Sequence, residues 1–169
     1  MPNWNEVLIA IKAEGSTHDI IRRRYLQKLH EKTDRNVIIY YSGWLQSPDP
    51  RGTFQITDYD KVGFMGAANN LDRSKGLDLV LHTPGGELAA TESLVDYIHK
   101  LFKDVRVIVP QLALSAGTMI ACSARSIVMG KQSSLCDSPR LSDSGGPVFL
   151  RRYCRGVFGF VLLGGFVAE

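Results

Sequence analysis

Two glycine-containing stretches of this sequence carry residue types suited to acyl-transfer chemistry. Pro84-Gly85-Gly86 follows an apolar run and precedes a helical pattern. Paired glycines at such a junction permit positive φ and close backbone approach, so their N–H groups can point into a cleft and cradle an oxyanion. Standing alone, the pair is equally a tight turn chosen for its geometry. Farther on, Leu114-Ser115-Ala116-Gly117 sets a serine among small residues at the start of a helical pattern. Unpaired N–H groups and the helix dipole favour a developing negative charge there, although serine is also a preferred N-cap. Together the two stretches supply a hydroxyl nucleophile in Ser115, the amide of Ala116 just after it, and a second amide from Gly85 or Gly86. Removing one such oxyanion donor typically slows a reaction ~100- to 1000-fold.

These turns need rigid elements to hold them. Asn3 to Glu14 places Trp4, Val7, Leu8 and Ile11 at helical spacing and stops at Gly15. Ser16 or Thr17 can cap a second helix carrying Ile20, Ile21, Leu26 and Leu29, so the chain is expected to open with a helical hairpin. The Arg22-Arg23-Arg24 run reads as a solvated face of that second helix. Val37 to Tyr41 is β-branched and aromatic, hence a strand, and a loop follows at Pro48 to Gly52. Helices are then expected over Asp58 to Arg73, Glu87 to Phe102 and Leu114 to Ala124, alternating with short strands at Leu77 to Leu81, Val105 to Val109 and Ser126 to Met129. Short apolar strands alternating with helices predict an α/β class with parallel strands. In such sheets ligands sit at the carboxyl ends of the strands, and both glycine-containing turns fall on that edge.

HTPGGELAATESLVDYI and QLALSAGTMIACSARSIVMGKQSSL, preceded by ITDYDKVGFMGAANNLDRSKGLDLVL, resemble the serine dehydrogenase proteinase family. These are Clp-fold serine proteinases, related to ClpP and the signal peptide peptidases within the ClpP/crotonase superfamily. The resemblance implies an α/β superhelix of ββα units, here with an N-terminal helical region at 1–35, a proteinase core at 36–135 and an atypical tail at 136–169. It implies a homo-oligomer that hydrolyses peptide bonds of a peptide or protein substrate, with no metal, nucleotide or other cofactor in this subunit. Carried onto this chain, Ser115 is the nucleophile, Ala116 gives one oxyanion amide and Gly85-Gly86 give the other.

Serine attack also needs a general base, and the superfamily uses histidine with aspartate, or a lysine. No histidine follows Ser115. The candidates are Lys131, sixteen residues after Ser115; His82, beside the oxyanion turn; and Asp137, near a family acidic position. Each has an ordinary alternative: Lys131 as a surface lysine, His82 as a packing or hydrogen-bonding residue at a strand end. Asp143-Ser144-Gly145-Gly146-Pro147 looks like the nucleophile segment of trypsin-like proteases. The α/β pattern upstream has too few strand runs for the two β-barrels that this motif requires and no alanine-alanine-histidine-cysteine stretch, which makes it a loop.

The chain has 169 residues, 44% of them hydrophobic and 22% charged, which is ordinary globular composition. A formal charge of +3 is far from the basic stripe of a nucleic-acid binder. Three irregularly spaced cysteines, Cys122, Cys136 and Cys154, suggest neither a disulfide framework nor a metal site. The first residues lack a basic n-region and a cleavage site, so the expected location is cytoplasmic. Gly156 to Ala168 is apolar throughout, but its 13 residues fall short of the roughly 20 that span a bilayer. It is expected to form buried strands, with membrane association as the alternative. Two further readings compete with the peptidase: a catalytically incomplete Clp-fold module acting only in oligomerisation or binding, and a crotonase-type acyl-CoA enzyme, which also uses paired amides.

After Leu135 the sequence departs from the family pattern. Codons for Tyr153-Cys154-Arg155-Gly156-Val157-Phe158 can, one nucleotide later, encode Ile-Ala-Glu-Glu-Phe, the helical kind of sequence the family pattern leads one to expect. A frameshifted and truncated C-terminus follows as a hypothesis. Genomic DNA should then show a family-like continuation in a shifted frame; its absence from both alternative frames overturns the hypothesis.

Overall fold

β-Branched and aromatic side chains fit a pleated surface better than a helix, and NVIIYY accordingly forms the first strand, β1 (Asn36–Tyr41). The structure, a computed structural model, describes residues 18–46, 54–135 and 160–163, with Glu6, Ile9 and Ala13 as isolated helical positions ahead of them. Helix α1 (His18–Thr33) precedes β1 and packs against it. The first arm of the expected hairpin otherwise lies outside the described residues, as does the loop at Pro48 to Gly52.

After β1 come α2 (Asp58–Ala68), β2 (Leu77–His82), α3 (Leu88–Leu101), β3 (Val105–Val109), β4 (Leu112–Ala113), α4 (Ala116–Ser123), β5 (Ser126–Gly130), β6 (Ser134–Leu135) and β7 (Phe160–Leu163). Two helices differ from the sequence expectation. Helix α2 stops at Ala68 rather than Arg73, because Asn70 takes φ 66°, a left-handed turn that asparagine tolerates better than most residues. Helix α4 begins at Ala116 rather than Leu114, because Leu112 and Ala113 are drawn into strand pairing.

Five strands form one parallel sheet in the order β1-β2-β3-β5-β7. A second, smaller layer is built from the parallel β4–β6 pair and from the bridges Ile56–Gly86 and Thr83–Ala113. Long strand, short second-layer segment and helix thus recur along the chain, as expected of a ClpP-like ββα arrangement. The apolar tail contributes one described strand, β7, paired in parallel with β5 from Ile127–Phe160 to Gly130–Leu163.

Leu77, Leu79, Leu81, Val105, Val107, Val109 and Ile127 are buried in the central strands. Ala90, Thr91, Leu94, Val95 and Ile98 supply the buried stripe of α3, at the i, i+3, i+4 spacing that points one helix face at a sheet. Among the described residues no helix is long and apolar enough to cross a membrane.

At the amino ends of the strands one carboxylate holds three elements together. Asp78 is fully buried and receives Arg35 Nε at 2.6 Å and Arg106 Nε at 2.9 Å. Arg35 also donates to Asp104 Oδ2 at 2.6 Å and to the carbonyls of Leu77 and Asp104. The Arg35 hydrogen bond is the main reason that the Asp104 carboxyl is held below its ordinary range. Asp78→Ala should cost roughly 3 kcal/mol, the low end for removing one partner of a buried ion pair, since both guanidiniums keep part of their solvation. Urea denaturation measures this, and a loss below about 1 kcal/mol would reduce the cluster to a surface ion pair.

Candidate active site

Strand β2 ends at His82, and the next residue, Thr83, carries no accessible surface. Its N–H donates to the Leu112 carbonyl at 3.1 Å, and its carbonyl accepts from Leu114 N–H at 3.0 Å. The Thr83 backbone therefore ties the end of β2 to the segment that leads into Ser115. Its hydroxyl oxygen accepts the N–H of Gly85 at 3.1 Å, the local turn that Ser and Thr side chains favour.

Gly85 sits at φ 106°. A Cβ there would lie 2.8 Å from the Leu114 carbonyl, 2.8 Å from Ser115 Cβ and 3.2 Å from Ala116 N. Only a residue without a side chain lets the two turns approach this closely. Gly86 is crowded from another side, where an added Cβ would lie 2.1 Å from Ile56 N. Ile56 N–H donates to the Gly85 carbonyl and Glu87 N–H donates to the Ile56 carbonyl. In that parallel pairing the N–H of Gly86 faces away from Ile56. Of the two glycine amides named from the sequence, Gly85 is spent on Thr83; that of Gly86 has no partner among the described residues.

Ser115 occupies the residue before α4 with φ 48° and ψ −113°, and its side chain makes no capping hydrogen bond. A plain N-cap takes extended backbone and its side-chain oxygen accepts from the helix amides, so Ser115 departs from that role on both counts. Such a conformation costs on the order of 1–3 kcal/mol and persists where the surroundings enforce it. Behind it, Gly117 lets α4 rest on Thr83: a Cβ at Gly117 would lie 2.5 Å from Thr83 Cγ2. Ala116, first residue of the helix, is buried, and its N–H has no intrahelical acceptor. The half-buried Ser115 thus stands against the Gly85 turn, with the N–H of Ala116 next to it in the chain.

The three candidate bases are placed differently. His82 is 4% exposed, stacks on Tyr41 with ring centroids 5.1 Å apart, and has Nδ1 3.1 Å from the Leu112 carbonyl. A carbonyl only accepts, so Nδ1 carries the proton, while the buried Nε2 has no hydrogen-bond partner among the described residues. Lys131 is exposed on the turn after β5. Asp137 lies outside the described residues, as does Ser144. Among the described residues none hydrogen-bonds to Ser115 Oγ, and no cluster of three or more His, Cys, Asp or Glu side chains could hold a metal.

Thr83 and Gly117 were not singled out from the sequence. A threonine two residues before a paired glycine is the one local sign that could have marked Thr83; the role of Gly117 depends on a contact across 34 positions. A cavity of about 800 Å³ is walled by Tyr40, Tyr41, Phe54, Tyr59, Asp60 and Glu87, the residue after Gly86; Gly85, Gly86 and Ser115 do not line it. Burial, with the Asp60 carboxylate beside it, raises the Tyr40 hydroxyl well above the usual phenol range, so it stays protonated.

The sequence signature of the ClpP-like SDH-type serine proteinases matches residues 7–155 of this chain. An uncharacterized protein of Methanocaldococcus jannaschii is 30% identical over 135 residues, covering 76% of this chain and 46% of that protein. A second uncharacterized protein of the same organism is 33% identical over 76 residues, 45% of this chain and 26% of its own length. The chain thus spans less than half the length of these curated relatives. The signature runs past Leu135, into the segment that the sequence alone set apart.

Gly85→Ala should destabilise the fold by about 2 kcal/mol or more, through a disfavoured φ and contact with Ser115. Gly66→Ala, in α2 with nothing within 4 Å of the added Cβ, should be neutral or stabilising by up to about 1 kcal/mol. Thermal unfolding of the pair reads the difference; equal behaviour would mean that the close approach at Gly85 is dispensable.

Proposed function

We propose that this chain, which belongs to the ClpP-like SDH-type serine proteinase family, is a serine peptidase unit that cleaves peptide bonds through Ser115. The observation that supports the reading is the approach of Gly85 to Ser115 Cβ and Ala116 N, which brings the serine turn and the glycine turn together. Ser115 Oγ would attack the substrate carbonyl carbon while a base accepts the hydroxyl proton. The carbonyl oxygen becomes an oxyanion between the N–H groups of Gly86 and Ala116. Collapse breaks the C–N bond, the leaving amine takes up the proton, and water then hydrolyses the acyl-serine. The cavity beside Glu87 gives room for a substrate side chain. The family implies a protein or peptide substrate and a homo-oligomer; neither needs a cofactor for this chemistry.

A second reading, a non-catalytic oligomerising or binding module, draws on one observation: no described residue hydrogen-bonds to Ser115 Oγ. Labelling with a fluorophosphonate, followed by mass spectrometry of the adduct, separates the two, because only an activated serine reacts. The peptidase reading expects an adduct on Ser115, absent in Ser115→Ala, with peptide hydrolysis falling by roughly 10⁴-fold or more. Lys131→Ala and Asp137→Ala, scored the same way, identify the base. No adduct in folded protein leaves the non-catalytic module, and an adduct on Ser144 overturns the site.

A further inference from the structure

At the edge of the sheet opposite Ser115, the arginine cluster around Asp78 borders an open cavity of about 490 Å³ lined by Arg35, Asp104, Arg106, Arg125 and Ser126. Its hydrogen bonds are unequally shared. Arg35 commits its fork to Asp78, Asp104 and two carbonyls. Arg106 gives Nε and Nη2 to Asp78, leaving Nη1 without a hydrogen bond among the described residues. Among the described residues the exposed Arg125 comes no nearer to a carboxylate than 3.8 Å, at Asp104, outside hydrogen-bond range. Its backbone is fixed all the same, since Arg125 N–H donates to the Val105 carbonyl at 2.9 Å.

Among the described residues three guanidiniums face two carboxylates, Asp78 and Asp104, which leaves one positive charge uncompensated there. The unused donors belong to residues held side by side: Arg106 pairs with Ser126 in the β3–β5 register, and Arg125 precedes Ser126. A guanidinium presents five N–H groups in a planar fork matched to the oxygens of a carboxylate or phosphate.

We infer that this cavity binds a small oxyanion, with Arg125 and Arg106 Nη1 as the principal donors and the Ser126 hydroxyl beside them. The site is separate from the peptidase reading and stands or falls without it. Because Arg35, Asp78, Arg106 and Asp104 join β1, β2 and β3, an anion seated there adds a further tie across the same strands. Binding to the folded chain alone raises its apparent stability.

Inorganic phosphate is the probe, titrated against the full chain at constant ionic strength with sodium chloride as the balancing salt, since chloride reports screening alone. A saturable rise in unfolding temperature and broadening of the phosphate ³¹P resonance are expected. Arg125→Gln should weaken binding by about tenfold or more, with Arg125→Lys intermediate because it keeps the charge and loses the fork. Arg23→Gln, at an exposed position of α1, should change nothing. An acetate arm identifies the source: a response to acetate as strong as to phosphate makes the ligand a carboxylate, and a response to phosphate alone makes it a phosphate. No saturable shift with either, or an equal shift in Arg125→Gln, overturns the site.

Discussion

The contact between the Pro84-Gly85-Gly86 turn and the Ser115 turn leaves no space for a methyl group, and the local architecture is arranged around that restriction. Gly85 at φ 106° and Ser115 at φ 48° both adopt left-handed backbone. Neither conformation is favoured locally for its part in the chain; the serine's carries a cost. Gly85 is held by the Thr83 hydroxyl and the Ile56 N–H, and the segment before Ser115 by the Thr83 carbonyl. Thr83 is the common partner, through its backbone to Leu112 and Leu114 and its hydroxyl to Gly85. A buried threonine with every polar group engaged is a firm anchor, because losing any of those bonds would strand a buried donor or acceptor.

That anchor is useful only because the sheet sets its position. The parallel pairing of β2 with β3 brings the carboxyl ends of both strands to one edge, and the second-layer bridges at Ile56–Gly86 and Thr83–Ala113 carry each chain segment sideways before its helix begins. The sideways step separates this arrangement from a simple strand-to-helix turn. It consumes the Gly85 carbonyl and the Glu87 amide on the Ile56 side, so the Gly86 N–H is turned to the other. At the far edge, Asp78 and its two arginines do the corresponding work for the amino ends. Dense polar linkage at one end and unspent amides at the other are what a rigid scaffold with a site on one edge requires.

Much of the fold was legible because the periodicities are strong. The β-branched run in Val105–Val109 and the apolar spacing of α3 admit few alternatives, and both elements formed close to the expected positions. The ends of α2 and α4 were not legible in the same way. Asn69-Asn70 is a weak stop, read correctly only once Asn70 is seen in left-handed backbone. Leu114-Ser115 looks like the first turn of a helix until Leu112-Ala113, just before it, pairs with β6. Local propensity differs by tenths of a kcal/mol per residue and yields to a neighbouring strand's hydrogen bonds.

Residue chemistry in the sequence determined which groups could act: a serine, its following amide and a glycine pair, in an order that resembles one proteinase family. Composition and alternating periods determined that these would lie on an α/β scaffold. Tertiary structure decided which glycine amide is unspent, because the Thr83 hydroxyl and the Ile56 backbone engage from positions that no local pattern links to Gly85 and Gly86. It also decided that Ser115 is not a helix cap and that His82 gives Nδ1 to a carbonyl. Each of these depends on hydrogen bonds between residues far apart in the chain, and a hydrogen bond's direction is set by where the fold places its two ends.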